Sequence, residues 1–283
     1  MLTFKYRVKD GSSRRYLVRH ANACNQVWNY CCEVQRHAMK WARKWPSAFD
    51  LIRLCTGSAA DFGLHSDTVQ TICREFAARR NAIRRCPRWR SAKKSLGWIP
   101  FISRAVRIDG AVVTYLKRDY RFWRSREIGG VFKAGAFVQD ARGRWYVTFQ
   151  CDVTTDLPTA SGEIGIDLGL KTLATCSDGT TVPALQHYRK YETALAKAQR
   201  ARNKRRVTAI HAKIANARRH HLHEQSTRIA RENRLIVVGN VNAAQLAKTR
   251  MAKSVLDAGW STFRNQLRYK ASRHGAGYVE ADE

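Results

Sequence analysis

The stretch GIDLGLKTLATCSDG, residues 165–179, decides the fold of the carboxyl-terminal half of this 283-residue chain. Its apolar residues lead into Asp167 and a glycine turn, and Asp178-Gly179 marks a second turn. We therefore predict three short strands: Glu163 to Asp167, Thr172 to Cys176, and one after Gly179. Successive short strands with tight turns indicate the start of a sheet. The elements that follow them indicate whether it belongs to an α/β fold.

Basic helices and one fully apolar strand come after these turns. Two helices are predicted, from about Tyr188 to Asn203 and from Val207 to Asn233. Between Arg189 and Arg234 there are 14 lysines and arginines and three acidic residues. The run LIVVGNVN, residues 235–242, opens as a strand typical of the middle of an α/β sheet. A last helix from Ser254 to Arg273 and a strand from Tyr278 to Ala281 complete the order of a ribonuclease-H-like fold.

The amino-terminal half is interpreted as a β-barrel or sheet interrupted by inserted helices. Apolar residues alternate in its first strand, recur at three- and four-residue steps in its helices, and alternate again in a hairpin around Asp140–Gly143. The predicted elements are a strand from Leu2 to Val8, helices from about Arg14 to Lys44 and Ser66 to Arg85, strands between Ala105 and Val153, and a linker from Thr154 to Ser161.

The charge of the chain points to a polyanionic partner. Lysine and arginine number 52 against 22 acidic residues, a formal net charge of +30. Repulsion of this size favours an external phosphate backbone, although a solvated basic surface is the simpler alternative. No apolar run reaches the roughly 20 residues of a membrane span, and no signal peptide is recognisable, so we expect a cytoplasmic protein.

The eight cysteines give no sign of a zinc site. None forms a C-x-x-C pair, and most fall at apolar positions of predicted elements. We expect them to be reduced core residues.

A dense basic and aromatic run, RRCPRWRSAKKSLGWIPF, occupies residues 84–101. Pro87, Gly97 and Pro100 argue against regular helix. Its tryptophans and cations suit base stacking and backbone contact with nucleic acid. The alternative is a basic surface loop with two core tryptophans.

Three segments together resemble the RuvC domain of TnpB, the transposon-encoded RNA-guided nuclease ancestral to type V CRISPR effectors. They are residues 165–179, residues 235–242 and AKSVLDAGWSTFRNQLRYKA at 252–271. GWIPF (97–101) and GRWYVTF (143–149) resemble the wedge domain of that family. The resemblance covers nearly the whole chain. It implies an α+β and α/β architecture with a wedge β-barrel at 1–158, a helical recognition insertion at about 14–86, and a RuvC-like ribonuclease-H-fold domain at 162–283, ending before the zinc ribbon.

The nuclease site implied by the resemblance is incomplete in this sequence. Such sites hold two divalent metal ions with carboxylates from several strands. Asp167 occupies the first carboxylate position, but Gly239 stands where a glutamate is expected. The third carboxylate would lie beyond a zinc ribbon, which these residues do not include. We therefore expect Asp167 and Gly239 to be vestigial, no magnesium or zinc cofactor, and no enzymatic activity.

Alternatives to this interpretation of the site stay open. Glu280 and Asp282 are candidate substitutes for the missing carboxylates. Asp167, for its part, suits a purely structural role as a hydrogen-bond acceptor in the turn.

Nuclease-inactive members of the TnpB family (TldR) are RNA-guided transcriptional repressors. The resemblance implies this role here, in a bacterial protein associated with the nucleoid. The expected partners are a structured guide RNA, one protein per guide, and a double-stranded target that forms an RNA–DNA heteroduplex. Alternatives are an active RNA-guided endonuclease represented by part of its chain, an inactive effector serving a CRISPR array, and a non-specific RNA-binding protein.

The same resemblance suggests contact residues. Ser66, Asp67 and Gln70 are expected to approach the target-adjacent DNA motif, since a glutamine can pair with an adenine edge. The alternative for these three residues is a solvated start of the helix. Backbone contacts to nucleic acid are expected from Lys93, Lys94, Arg104, Arg202, Lys204, Arg205, Arg206, Arg218 and Arg219. Taken singly, each of these cations is better explained as a solvated charge, and we expect them to matter as one surface.

Overall fold

The computed structural model describes residues 1–11, 13–153, 160–241, 243–246, 248, 249 and 251–282. The chain divides into two compact units, Met1–Thr154 and Thr155–Glu283. Residues 154–159 of the predicted linker, and Asn242, lie outside the described residues. Within the described part of the chain, no helix has the length and apolar content needed to cross a bilayer.

The first unit is mixed α/β. Its elements are β1 (Leu2–Arg7), α1 (Arg14–Lys40), α2 (Ala48–Leu54), α3 (Ser66–Ile83), β2 (Trp98–Ile102), a 3-10 turn (Ser103–Ala105), β3 (Val106–Asp109), β4 (Val112–Tyr115), β5 (Arg118–Arg121), β6 (Val131–Gln139) and β7 (Trp145–Asp152).

The strands of this unit form two sheets that do not close into a barrel. One is antiparallel with the order β1-β7-β6-β2, and the other has the order β3-β4-β5. The predicted barrel is therefore wrong. Pro100, within β2, has no N–H to donate, which suits β2 to an edge that α1 and α3 pack against. An isolated bridge between Val8 and Phe122 links the sheets where closure would need a full strand pair.

The predicted hairpin between β6 and β7 is confirmed. Asp140 accepts hydrogen bonds from the backbone N–H groups of Arg142 and Arg144, both at 2.9 Å. Gly143 takes the left-handed conformation, with φ of 76°. The inward residues of β7, Trp145, Val147 and Phe149, are buried as their alternation predicts.

The helices of the first unit differ from prediction at their ends. α1 stops at Lys40, four residues early, and Ala42 has a positive φ of 48°. α2 was not predicted at all, although Ser47 and Asp50 form a complete capping box at its start. The cap of α3 is His65, whose Nδ1 accepts from the N–H of Asp67 at 3.2 Å.

The second unit holds a five-stranded sheet flanked by helices. Its elements are β8 (Gly162–Leu168), β9 (Thr172–Cys176), β10 (Thr181–Pro183), α4 (His187–Arg200), α5 (Lys204–Glu232), β11 (Asn233–Gly239), α6 (Ala243–Leu246), α7 (Ala252–Ala258), α8 (Trp260–Arg273) and β12 (Gly277–Ala281). The strand order is β10-β9-β8-β11-β12, and β11 runs parallel to both of its neighbours. The apolar run 235–238 is thus an inner strand, as predicted.

The helix predicted from Ser254 to Arg273 is broken in two. Gly259 lies between α7 and α8 with φ of 71°, a conformation that L side chains rarely adopt. A Cβ there would also lie 3.2 Å from Cδ of Arg218. The apolar spacing continues through this break, so periodicity alone predicted one helix.

A buried amine fastens α8 to α5. Nζ of Lys270 donates to the carbonyl oxygen of His223 and to the hydroxyls of Ser226 and Thr227, each at 2.7 Å. Burial lowers the pKa of Lys270 to about 8, because the charged form loses hydration. The three acceptors replace that hydration and fix the packing of the two helices.

Candidate nucleic-acid interface

The tip of the α4–α5 hairpin presents four of the predicted contact residues together. Leu195, Ala198, Ile210 and Ile214 pack the two helices against each other. The turn between them contains Arg202, which has φ of 50°. Asn203 then caps α5, since its Oδ1 accepts from the N–H of Arg206 at 2.9 Å. The exposed cations gathered at this tip are Arg202, Lys204, Arg205 and Arg206.

The position of these cations on the helix is electrostatically unfavourable in the isolated chain. The amino terminus of a helix carries a partial positive charge that favours anions. Lys204, Arg205 and Arg206 form the first turn of α5, and no acidic residue accompanies them. An anionic partner relieves this repulsion, and a nucleic-acid backbone supplies several phosphates at once.

The remaining predicted cations of α5 have different surroundings. Arg218 donates to the carbonyl oxygen of Leu256 and lies 3.9 Å from the carboxylate of Asp257. Its guanidinium therefore holds α7 against α5. Arg219 is exposed. Of these two, Arg219 has the surroundings expected of a phosphate contact, whereas Arg218 has those of a packing residue.

At the start of α3, two predicted contact residues bind each other. Arg104 forms a bidentate ion pair with Asp67, with N–O distances of 2.7 and 2.5 Å. The carboxylate of Asp67 is buried, while Ser66 is exposed and Gln70 partly so. Gln70 accepts from Arg74 at 3.4 Å. Ser66 and Gln70 are thus accessible for base contact, whereas the Asp67–Arg104 pair orients the end of the helix.

This ion pair predicts a dependence of stability on pH. Hydrogen bonding and the charge of Arg104 hold the pKa of Asp67 below its usual range. A depressed carboxyl pKa stabilises the fold above the ordinary value of about 4, and that stabilisation is lost as the pH falls through the folded-state pKa. We expect Arg104→Ala to lower the urea midpoint at pH 7 and to flatten its decline in acid.

The control for this experiment is Arg107→Ala, an exposed arginine on neighbouring β3 that should leave both quantities unchanged. His65 also lies 3.5 Å from the carboxylate of Asp67 and is unchanged in every variant compared. Parallel pH curves for the wild type and Arg104→Ala would contradict the stabilising role of the pair.

The basic and aromatic run at 84–101 contains both structural and exposed side chains. Arg90 donates to Asn25 and to the carbonyl oxygen of Leu96, and its guanidinium lies 5.7 Å from the ring of Trp98. Trp89 is 44% exposed, with the guanidinium of Arg36 5.2 Å from its ring. Arg90 and Trp98 therefore build the loop. The side chains it leaves accessible for stacking and phosphate contact are Trp89, Lys93 and Lys94.

A further exposed aromatic was missed by sequence reasoning. Trp123 is 59% exposed, and Nζ of Lys9 lies 4.4 Å from its ring. The bridge between Val8 and Phe122 brings these two residues together from opposite ends of the unit. Their separation in sequence hides the pair, and only the exposed fraction of the tryptophan marks it as a candidate for base stacking.

The sheet of the second unit has one edge formed by the carboxyl ends of its parallel strands. This edge holds the two positions predicted to be vestigial. Ile166 pairs with Val238, so Asp167 and Gly239 follow side by side at the carboxyl ends of β8 and β11. Gly239 pairs in turn with Ala281 of β12. The side chain of Asp167 is exposed. The register therefore places three strand ends at one edge, with a carboxylate on the first and none on the second.

A comparison with known families bears on this edge and on the basic hairpin. Residues 147–250 match the OrfB_IS605 family, described as a probable transposase. The OrfB_IS605 match runs from β7 through α6 and includes Asp167, the α4–α5 hairpin and Gly239.

Two relatives agree with the OrfB_IS605 match. One, from Streptomyces pristinaespiralis, is named "Putative RNA-guided DNA endonuclease"; it is 31% identical over 232 residues, which are 76% of this chain and 57% of the relative. The other, from Escherichia coli (strain K12), carries the same name with the suffix InsQ and is 29% identical over 180 residues, 53% of this chain and 44% of its own. The chain thus spans about half the length of these relatives.

A solved structure shows the same fold. It is described as the cryo-EM structure of the Cas12f1-sgRNA-target DNA complex, and the protein in it aligns with 95% of this chain and 73% of its own length, with a TM-score of 0.60. The identity is 11%, so this likeness concerns the fold alone.

The sheet edge does not fit a pair of divalent metal ions. Two such ions need several carboxylates, since one cannot offset their mutual repulsion. Glu280 is bound by Arg268 at 2.6 Å and lies 3.7 Å from Arg264. Asp282 accepts from Asn240 at 3.1 Å. Within the described residues, no group of three acidic, histidine or cysteine ligands gathers at this edge. The expected absence of a metal cofactor stays a prediction.

The expectation that this chain is not an enzyme is wrong. Both relatives are named as endonucleases, so the class that the chain resembles is enzymatic. That expectation rested on Asp167 and Gly239, as though the carboxylates of the nuclease site had to lie within these residues. Since the chain spans only part of its relatives, a count of carboxylates here does not decide the activity of the whole protein.

Proposed function

We propose that this chain binds a guide RNA and a DNA duplex that pairs with it, and that it works as part of an RNA-guided DNA endonuclease. The observation that carries the proposal is the cluster of exposed cations at the tip of the α4–α5 hairpin. It lies within the OrfB_IS605 match, in a chain of formal charge +30. The names of the relatives supply the chemical identity of the polyanion.

The protein and the guide RNA would recognise different features of the target, because most side-chain contacts do not read base sequence. Lysines and arginines hold phosphates regardless of sequence, and pairing between guide and target supplies the specificity. The protein would read only a short duplex motif beside the target. Ser66 and Gln70, accessible at the start of α3 and oriented by the Asp67–Arg104 pair, are our candidates for that contact.

The experiment is sequencing of the RNA that co-purifies with the chain from a bacterial host that carries its gene. We expect one dominant RNA with a constant structured part and a short variable end. The reconstituted complex should then bind a duplex that matches this end at least about 100-fold more tightly than a scrambled duplex, a difference of about 2.7 kcal/mol. A broad mixture of RNAs, or equal binding to both duplexes, would contradict the proposal.

Incubating the same complexes with Mg²⁺ separates binding from cleavage. Cutting of the matched duplex would assign endonuclease activity to these residues. Matched binding without cutting would leave them a role in occupying DNA, as transcriptional repression requires, with cleavage dependent on other parts of the whole protein. The non-specific RNA-binding alternative predicts neither matched binding nor cutting.

A further inference from the structure

Three cysteines that are far apart in the sequence meet in the core of the first unit. Cys31 lies on α1, Cys55 follows the last residue of α2, and Cys73 lies on α3. Cys31 and Cys73 are fully buried and Cys55 is 7% exposed. One thiol comes from α1, one from α3 and one from the residue directly after α2, so the cluster lies where the three helices converge.

The spacing of the sulfur atoms suits one metal ion. Sγ of Cys73 lies 4.0 Å from Sγ of Cys31 and 3.8 Å from Sγ of Cys55, and all three sulfur atoms fall within 4.8 Å of one another. A metal–sulfur bond of about 2.3 Å requires sulfur atoms about 3.8 to 4.0 Å apart for tetrahedral or trigonal angles. We propose that Cys31, Cys55 and Cys73 form a binding site for one thiophilic d10 metal ion of the class of Zn²⁺ and Cd²⁺.

The electrostatics of the cluster are consistent with this site. Hydrogen bonds from Cys31 and Cys73 lower the pKa of the Cys55 thiol, whereas the hydrogen bonds to Cys55 and Cys73, together with burial, raise the pKa of Cys31. The pKa of Cys73 is raised, because its hydrogen bond to Cys55 and its burial outweigh the hydrogen bond to Cys31 and the charge of Arg74, which both lower it. Metal binding would displace the remaining thiol protons, and the ion would neutralise charge that the apolar core cannot solvate.

The other cysteines of the unit lack this arrangement. Burial raises the pKa of Cys24 to about 12, and its sulfur belongs to no such group among the described residues. Cys32 and Cys86 donate to the carbonyl oxygen of Pro87, at 3.5 and 3.6 Å. Cys24 and Cys86 therefore serve as matched controls, one fully buried and one half-buried.

The site does not depend on the proposed function. Thiolate ligands select soft ions such as zinc over the hard ions that phosphate chemistry uses. A metal here would fix α1, α2 and α3 together. Its effect on function would be structural, through the position of α3, whose amino-terminal end carries Ser66 and Gln70.

The test uses the full chain, purified under reducing conditions and stripped of metal by a chelator. Titration with Cd²⁺ is followed by the ultraviolet charge-transfer absorption of cadmium thiolates. We expect one Cd²⁺ per chain in the wild type and in Cys24→Ser and Cys86→Ser. In Cys55→Ser and Cys73→Ser the affinity should fall on the order of 100-fold, because one of three ligands is lost.

A second measurement guards against variants that fail to fold. Zn²⁺ should raise the Tm of the wild type and of both controls, but should leave the Tm of Cys55→Ser unchanged, with far-ultraviolet circular dichroism confirming its fold. Equal Cd²⁺ affinity in all variants would overturn the site. So would a wild-type Tm that does not respond to Zn²⁺, which would make the triad three reduced core thiols.

Discussion

Reversing the charge of Lys204, Arg205 and Arg206 to glutamate is expected to abolish most of the affinity for guide RNA. Each released counterion contributes to binding, and the slope of log K against log salt changes by about 0.7 to 0.9 per phosphate contact. Losing three contacts should lower affinity at least about 100-fold at moderate salt and flatten that slope by about two. Filter binding or fluorescence anisotropy across a salt series measures both quantities.

The matched control for this variant alters bulk charge without touching the hairpin tip. Lys171, Arg231 and Arg273 are exposed in the same unit. Reversing them changes the net charge by the same amount, two per replacement. Comparable losses in both triple variants would show that total charge matters and that the α4–α5 tip has no special role.

Replacing Gly135 by alanine should destabilise the first unit by about 3 kcal/mol, since overpacking a closed core forces backbone shifts. A Cβ at this position would overlap the carbonyl oxygen of Thr148 on β7 and come within 2.7 Å of the ring of Phe101. Neither neighbour can withdraw, because Gly135 pairs with Phe149 on one side and Phe101 on the other. Urea unfolding followed by tryptophan fluorescence measures the loss.

The control for this substitution is Gly11→Ala, since a Cβ at Gly11 would meet nothing within 4 Å. We expect its free energy of unfolding to stay within about 0.5 kcal/mol of the wild-type value. A Gly135→Ala protein as stable as the control would mean that the β2-β6-β7 contact is looser than the structure describes.

Short sequence patterns correctly predicted the elements that neighbouring residues specify. The β6–β7 hairpin has a turn that its own residues specify, and β11 has an uninterrupted apolar run. Such patterns did not predict features that depend on the packing of the folded chain or on its backbone conformation. Whether β2 closes a barrel depends on what packs beside Pro100, and the break at Gly259 depends on a left-handed conformation that apolar spacing does not register. The capping box at Ser47 and Asp50 is also a local signal, and it marks the start of α2 where apolar spacing gives no indication of a helix.

The sequence predicted that the candidate interface is rich in exposed cations. It predicted only some of the residues that are free to contact nucleic acid. Exposed cations at the α4–α5 tip follow from their place in a polar turn. Asp67 and Arg104 were interpreted as separate nucleic-acid contacts, yet they neutralise each other. Pairs such as this one, or Lys9 with Trp123, join residues that only the folded chain brings together. Their charges therefore cannot be assigned to a ligand from sequence.

The inner position of β11 has a consequence for how the chain is made. β8, β9 and β10 pair in order of synthesis and can form as soon as they leave the ribosome. β11 must then insert beside β8 after the whole of α4 and α5 has emerged, and it pairs over about 70 residues of separation, from Gly165 to Val237. Such high contact order slows folding. Until β12 arrives, the nascent second unit presents an open apolar strand edge, the stage at which association between chains competes with folding.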